Sequence, residues 1–395
     1  MLSLEENPHP LVFKAAEDGI PPDALNPSEA RINTRTRVRS LTGMQKEVIV
    51  EYGPTGTIWR MASDEGAGLN GTDLAPFPLA FFNAGLLSSY MSEVQALAIT
   101  KGLDAAGVHL SLKNSYAMHG SATAGTIQGA SEPAELHLSP PGGADAAAWM
   151  EILRHAVIAS PADAVMRMPL TSRFSLTCNG ERIATNEVPE CSDAAVGAGA
   201  DLFDPLAPGG TFADNIIQKV VVDASDAPSQ VAGSGLNPGQ KRSFLVNGTC
   251  AITTDGLKDI RVRHAMRTAT AYHFLSDTSA RFGGNEIAPP GLALLVAGIG
   301  FCYMTQLGRF AKMAKQDLKS YAITQDMSFG APGASGGTDA QATADAAVTH
   351  VHLEMDGDAD PRLVTDMAAR MCFLHSACAA SLKTKVHLSG AEAAA

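Results

Sequence analysis

Cys302 and Cys372 stand where an earlier, similar stretch of the chain carries Ser89 and Ser160. Two thiols kept together in one stretch, and two hydroxyls together in the other, imply that the positions are neighbours in space and form one site. A lone buried cysteine is ordinary core, but the pair together is expected to serve a function. His375, three residues after Cys372, offers one route. On a helix the two share a face, so the imidazole can deprotonate the thiol for attack on an electrophilic carbon, as in cysteine hydrolases and acyltransferases. Cys372-x-x-His375-x-x-Cys378 also has metal-ligand residue types. Over one helix those side chains fan across about 120° and close a tetrahedron poorly, so no metal and no cofactor are expected.

Other patterns read as ordinary structure. His350, His352 and Glu354 alternate along a strand and point one way, as the solvated face of an antiparallel strand does. Arg35, Arg37 and Arg39 in RTRVR read the same way. Gly333-Ala334-Ser335-Gly336-Gly337 fits G-x-S-x-G, but that motif needs a strand-to-helix turn in a parallel sheet, and GAPGASGGTDA reads as a loop. The sequence holds no P-loop, no H-E-x-x-H and no dinucleotide fingerprint in a strand–helix setting. At 6% aromatic residues it shows no ligand-stacking box.

A formal net charge of −12 repels phosphate backbones and anionic lipid, so neither nucleic acid nor a membrane is an expected partner. With 18% charged and 45% hydrophobic residues, the 395-residue chain can bury large cores. The opening MLSLEENPHP lacks the basic and apolar regions of a secretory signal, which places the chain in the cytoplasm with reduced thiols. The six cysteines, Cys178, Cys191, Cys250, Cys302, Cys372 and Cys378, are too sparse for a disulfide scaffold and form no C-x-x-C. GLALLVAGIGFCYMTQL, Gly291 to Leu307, approaches membrane-span length but reads as a buried helix, with Pro289-Pro290 before it and Arg309, Lys312 and Lys315 after.

An internal repeat positions the cysteines. Ser63–Val94 lies over Ser276–Leu307 without a gap at an offset of 213, with 12 identities in 32 positions, far above chance for such segments. A second echo joins Ile152–Leu176 to Asp366–Leu388, with Ser160 opposite Cys372. In the later copy DIRVRHAMRTATAYHF has the alternation of antiparallel strands, a helix runs from Pro290 to about Gln316, YAITQDMSFG and THVHLEMDG read as a hairpin pair, and one helix runs from Asp360-Pro361 to about Lys383. The central helix is apolar all round and must be covered on every side. The two central helices are therefore expected to pack on each other, with Gly85 and Gly298 allowing the approach. The boundaries drawn are an extension at 1–30, a first domain at 31–178, a linker at 179–242 with one strand at IIQKVVVDA, a second domain at 243–390 and a tail at 391–395.

About Ser243 to Gly390 resembles the OsmC/Ohr family, the osmotically inducible and organic hydroperoxide resistance proteins, and about Arg31 to Cys178 resembles a degenerate copy. SDTSARFGGNEIAPPGLALLVAGIGFCYM is similar to the family's Gly-Gly, proline and cysteine-bearing helix, and ARMCFLHSAC to its second cysteine helix. The resemblance implies an α+β fold of two tandem OsmC-like domains forming an intramolecular pseudo-dimer, antiparallel sheets around long buried central helices, with a further homodimer left open. It implies thiol peroxidase chemistry on a small apolar hydroperoxide, with Cys302 attacking, Cys372 resolving and a dithiol as reductant. Arg261, Arg263, Arg267 and Arg281 are the candidates to activate the thiol, and Tyr303 adjoins it. Peroxide-reducing members carry a glutamate after the helix proline; here Gly291 follows Pro290, and Glu286 is the nearest replacement. A cysteine hydrolase or acyltransferase on a small carbonyl substrate, and a non-catalytic ligand-binding module, are the alternatives.

Overall fold

Residues 3–16, 25, 28, 31–121, 124–193, 196–221, 242–264 and 270–389 are described in the computed structural model. Strands β1 (Val12–Lys14), β2 (Arg31–Ser40), β3 (Lys46–Tyr52) and β4 (Thr57–Ser63) precede helix α1 (Pro78–Thr100). Then come β5 (His109–His119), β6 (Gln128–Ser131), β7 (Glu135–Ser139), α2 (Ala146–Ala159), α3 (Pro161–Arg167), β8 (Arg173–Cys178) and β9 (Glu181–Ile183). A similar order follows: β10 (Ile217–Val221), β11 (Arg242–Ile252), β12 (Lys258–His264), β13 (Thr270–Ser276), α4 (Gly291–Met313), β14 (Leu318–Gly330), β15 (Val348–Met355), α5 (Pro361–Met371), α6 (Phe373–Ala379) and β16 (Lys385–Leu388).

The strands form two sheets, β1-β4-β3-β2-β14-β15-β8-β9 and β10-β13-β12-β11-β5-β7-β16, with β6 on β5. Each sheet mixes early and late strands: β14 runs antiparallel to β2, with Thr324 opposite Arg37, and β11 antiparallel to β5, with Gly248 opposite Leu112. Two parallel pairings, β15 with β8 and β16 with β7, complete the mixture. Helix α4 lies on β2, β3 and β14 of one sheet, α1 on β5, β11 and β12 of the other, and the two helices lie on each other. This α+β arrangement buries both helices between the sheets, as an all-round apolar sequence requires. α4 has the length and hydropathy of a membrane span, yet 94% of its apolar window is buried inside the protein, so its apolar surface faces protein. The exchange of strands is compatible with the expected intramolecular pseudo-dimer.

The glycine expectation holds reciprocally. A Cβ on Gly85 would lie 2.6 Å from the Leu295 nitrogen, and one on Gly298 would lie 2.6 Å from the Phe82 nitrogen. Both neighbours are helix backbone and cannot rotate aside. Alanine gains about 1 kcal/mol of helix propensity over glycine, but forced separation of two packed helices costs more. Gly298→Ala and Gly85→Ala are each expected to lower stability by about 2 kcal/mol, read as a lower urea midpoint.

Several expectations change. The helix drawn from Asp360 to about Lys383 is two helices, because Cys372 is extended at φ −73°, ψ 114°. Arg35, Arg37 and Arg39 do not form a solvated face. Arg37 is buried in an ion pair with Glu51, Arg35 pairs with Asp326 at 2.8 Å and Arg39 with Glu47 at 2.7 Å. The segment around Gly199 and Phe203 covers them, with Phe203 under the Arg39 guanidinium at 4.6 Å. His350 is likewise buried, its Nδ1 2.7 Å from the Ser175 hydroxyl, while His352 Nε2 meets the Val196 carbonyl at 3.0 Å. The strand read at IIQKVVVDA is β10, paired with β13, and part of the expected extension is β1, paired with β4. SQVAGSGLNPGQ and the tail at 391–395 lie outside the described residues.

Candidate functional site

α4 brings Cys302 to the junction of α5 and α6, where the chain leaves helical geometry at Cys372. Strand β6 clamps that junction. A Cβ on Gly129 would lie 2.5 Å from the Met371 carbonyl, and the Ser131 hydroxyl donates to the Phe373 carbonyl at 2.8 Å. The two thiols meet there, with Cys372 Sγ donating to Cys302 Sγ at 3.4 Å. His375 Nδ1 lies 3.2 Å from Cys372 Sγ, and the imidazole packs beside the rings of Tyr303 and Phe174, with centroids at 5.1 and 5.5 Å. Tyr303 donates its hydroxyl to the Thr365 carbonyl at 3.3 Å. The structure thus gathers Cys302, Cys372, His375 and Tyr303.

These groups are buried, which sets their protonation. Burial, then the adjacent Cys372 sulfur, push the Cys302 thiol well above the ordinary range, while the Leu374 N–H pulls it back. Burial lowers His375 to about 4, so it is neutral at pH 7 and able to accept a proton. Its Nε2 has no hydrogen-bond partner. Between pH 6.5 and about 4 the unfolded chain binds a proton at this histidine and the folded chain does not. Stability from this group is therefore expected to fall by about 3 kcal/mol as pH drops through that window, and to level off below it. Urea denaturation at pH 7 and pH 4.5 checks this: His375→Gln should show a smaller acid-induced loss than the parent.

Cys302, rather than Cys372, reaches a cavity of about 110 Å³. Its walls come from both parts of the chain: Glu65, Leu69, Asp73 and Phe77 from the segment before α1, Phe244, His264 and Tyr272 from β11 to β13, and Thr305, Gln306 and Arg309 from α4. Glu65 is buried and accepts from the Thr305 hydroxyl at 2.8 Å. Burial pushes its carboxyl up and Lys46 draws it back down. Lys46, wholly buried at the start of β3, donates to the Met44 carbonyl; burial lowers its ammonium, against the pull of Glu65, Asp64 and an ionised Cys302. At the rim Asp73, in the left-handed region at φ 57°, accepts from the Tyr272 hydroxyl at 2.9 Å and pairs with Lys219 at 2.8 Å.

Arg281 and Glu286 are not part of this site, and that expectation is corrected. Glu286 accepts from the Thr55 hydroxyl at 2.8 Å and from Thr57, and Arg281 donates to the Ser28 carbonyl. The segment holding them faces the other sheet's strands, beside Ser89 and Ser160, whose hydroxyls are 2.7 Å apart. The segment before each central helix crosses to the opposite half, so the counterpart of Glu286 at the cysteines is Asp73. Both have positive φ, 57° and 51°. Of the other arginine candidates, Arg261 is exposed and Arg263 half-buried on β12, neither lining the cavity, and Arg267 lies outside the described residues. The cavity's arginine is Arg309, which donates to Gln306 at 3.0 Å. Sequence reasoning missed Glu65, Lys46, Asp73 and Arg309. The offset that places Ser63 over Ser276 carries Asp73 onto Glu286, a signal that was present.

The remaining motifs stay outside the chemistry. Ser335 sits in a short 3-10 turn and bonds the Glu93 carboxylate. Burial pushes the Cys378 thiol up to about 12. Among the described residues no group of three His, Cys, Asp or Glu side chains is placed to hold a metal ion.

The α+β fold thus holds a buried thiol pair beside a largely apolar cavity. Residues 283–387 match the family model described as OsmC-like protein, and the chain carries an OsmC-like domain there. A comparison with curated proteins finds no match.

Proposed function

We propose that this protein is a thiol peroxidase reducing organic hydroperoxides, built as two tandem OsmC-like units of which the later keeps the cysteines. The observation that carries the reading is the 3.4 Å approach of two thiols, one of which opens to an apolar cavity. Cys302 lines the cavity and attacks; Cys372, wholly buried behind it, resolves.

The Cys302 proton passes to the buried Glu65 carboxylate, whose basicity burial has raised. Cys302 thiolate attacks the terminal, hydrogen-bearing oxygen of R–O–OH, the O–O bond breaks, and the product alkoxide takes the proton from Glu65 and leaves as the alcohol. Cys302 is now a sulfenic acid. Cys372 Sγ attacks that sulfur, and its proton passes by way of His375 Nδ1 to the departing hydroxide, which leaves as water, giving a Cys302–Cys372 disulfide and returning His375 to its neutral form. A dithiol reduces it through a mixed disulfide and becomes a cyclic disulfide itself, returning both thiols. Lys46 favours the thiolate electrostatically.

The 3.2 Å contact between His375 and Cys372 also suits a cysteine nucleophile acting on a carbonyl. Two observations favour the redox reading: Cys372 has no exposed surface, and His375 Nε2 has no group to orient it. The test is consumption of an organic hydroperoxide with a dithiol in excess. Catalytic loss of peroxide supports the reading; an acyl adduct from an activated ester, with no peroxide loss, supports the hydrolase.

A further inference from the structure

Rings crowd one wall of the cysteine cavity, although aromatic residues make up only 6% of the chain. Phe77, Phe244, His264, Tyr272 and Phe373 all line it. They brace one another: Phe77 meets His264 at 5.4 Å and 60°, His264 meets Phe244 at 5.9 Å and 84°, and Phe244 meets Phe373 at 5.3 Å. The row ends at the residue next to Cys372. Chain segments far apart in sequence supply it, which is why composition showed no stacking box.

Polar groups reach the same cavity from α4. Thr305, Gln306 and Arg309 follow Cys302 by three, four and seven residues, the spacing of one helix face. A ligand with its reacting group at Cys302 therefore meets both rings and polar groups. Size narrows the choice. About 110 Å³ is on the scale of the roughly 150 Å³ apolar cavity that accepts one benzene. It has room for one ring beside Cys302.

We infer that this cavity selects arylalkyl hydroperoxides, with one ring a single carbon from the O–O bond, over linear alkyl hydroperoxides of equal carbon number. The inference rests on the peroxidase reading for its reaction but on the ring wall for its selectivity. Offset and edge-to-face contacts favour an aromatic guest beyond the area it buries, whereas a flexible alkyl chain also loses rotamer freedom on entry.

The test separates the two layers by using product alcohols first. Calorimetric titration of the reduced full chain with cumyl alcohol and with 1-nonanol, both of nine carbons, measures the ring preference without any turnover. Bulk hydrophobicity favours 1-nonanol, so at least tenfold tighter binding of cumyl alcohol is expected only if the rings select. Phe244→Leu should reduce that ratio to less than threefold, and Phe77→Leu, a change outside the sheets, should do so if Phe244→Leu fails to fold. Equal or tighter binding of 1-nonanol, or an unchanged ratio in the folded variants, overturns the inference. The same ratio is expected in kcat/KM for cumene hydroperoxide against nonyl hydroperoxide. If neither peroxide is consumed while the alcohols keep the tenfold ratio, the ring site stands and the peroxidase reading falls.

Discussion

Cys302→Ser is expected to abolish hydroperoxide consumption, a fall of roughly a thousandfold or more, because no other thiol lines the cavity. Cys372→Ser should behave differently. The first step survives, one equivalent of alcohol is released, and Cys302 stops as a sulfenic acid that a cyclic diketone trap labels. The asymmetry follows from placement: both sulfurs are buried, but Cys302 borders the space a peroxide would occupy and Cys372 sits behind it at 3.4 Å. Cys378, also buried, does not line the cavity. Equal loss of the first step in both variants would show that the order of the sulfurs is wrong. The measurement is a single-turnover assay with trap labelling and peptide mass analysis.

Lys46→Met carries the second large effect. Burial and Cys372 push the Cys302 thiol up, and Lys46 is a buried cation on which an ionised Cys302 exerts a favourable pull. Removing it raises the thiol further. A thiol raised further holds less thiolate at pH 7, and kcat/KM there is expected to fall about tenfold or more. The loss should shrink as pH rises, because the thiolate then forms without help. Lys46→Met is thus expected to move the rising limb of kcat/KM against pH to higher pH, and Lys46→Arg, which keeps the charge, should leave it nearer its original place. A uniform loss at all pH values would assign Lys46 a structural role only. Glu65, left without its countercharge in Lys46→Met, is expected to take up a proton more readily.

The architecture was legible because its cause is local and strong. An apolar helix with glycines in register between two similar stretches requires a partner helix, and Gly85 and Gly298 each lie against the backbone of the other central helix, as that argument demands. The cysteine pair was legible through its serine counterparts, whose hydroxyls lie as close as the sulfurs do. The crossing of the segments before α1 and α4 was not legible. Nearness in sequence suggested Arg281 and Glu286 for the cysteine site, while strand exchange hands that place to Glu65 and Asp73 from 210 or more residues away. The buried arginines were misread for a related reason. Alternation along β2 shows which side chains share a face, but a later segment, around Gly199, decides whether that face meets water. The break at Cys372 had one available signal, the Ser160-Pro161 pair at the matching place, where α2 gives way to α3.

The most direct test of the two-thiol site is the mass of the reduced protein after one equivalent of cumene hydroperoxide. The account predicts loss of two hydrogens, no added oxygen, and a single cross-linked peptide pair joining Cys302 to Cys372. Retention of both free thiols beside intact peroxide, or a stable added oxygen at Cys302 with Cys372 still reduced, would contradict it.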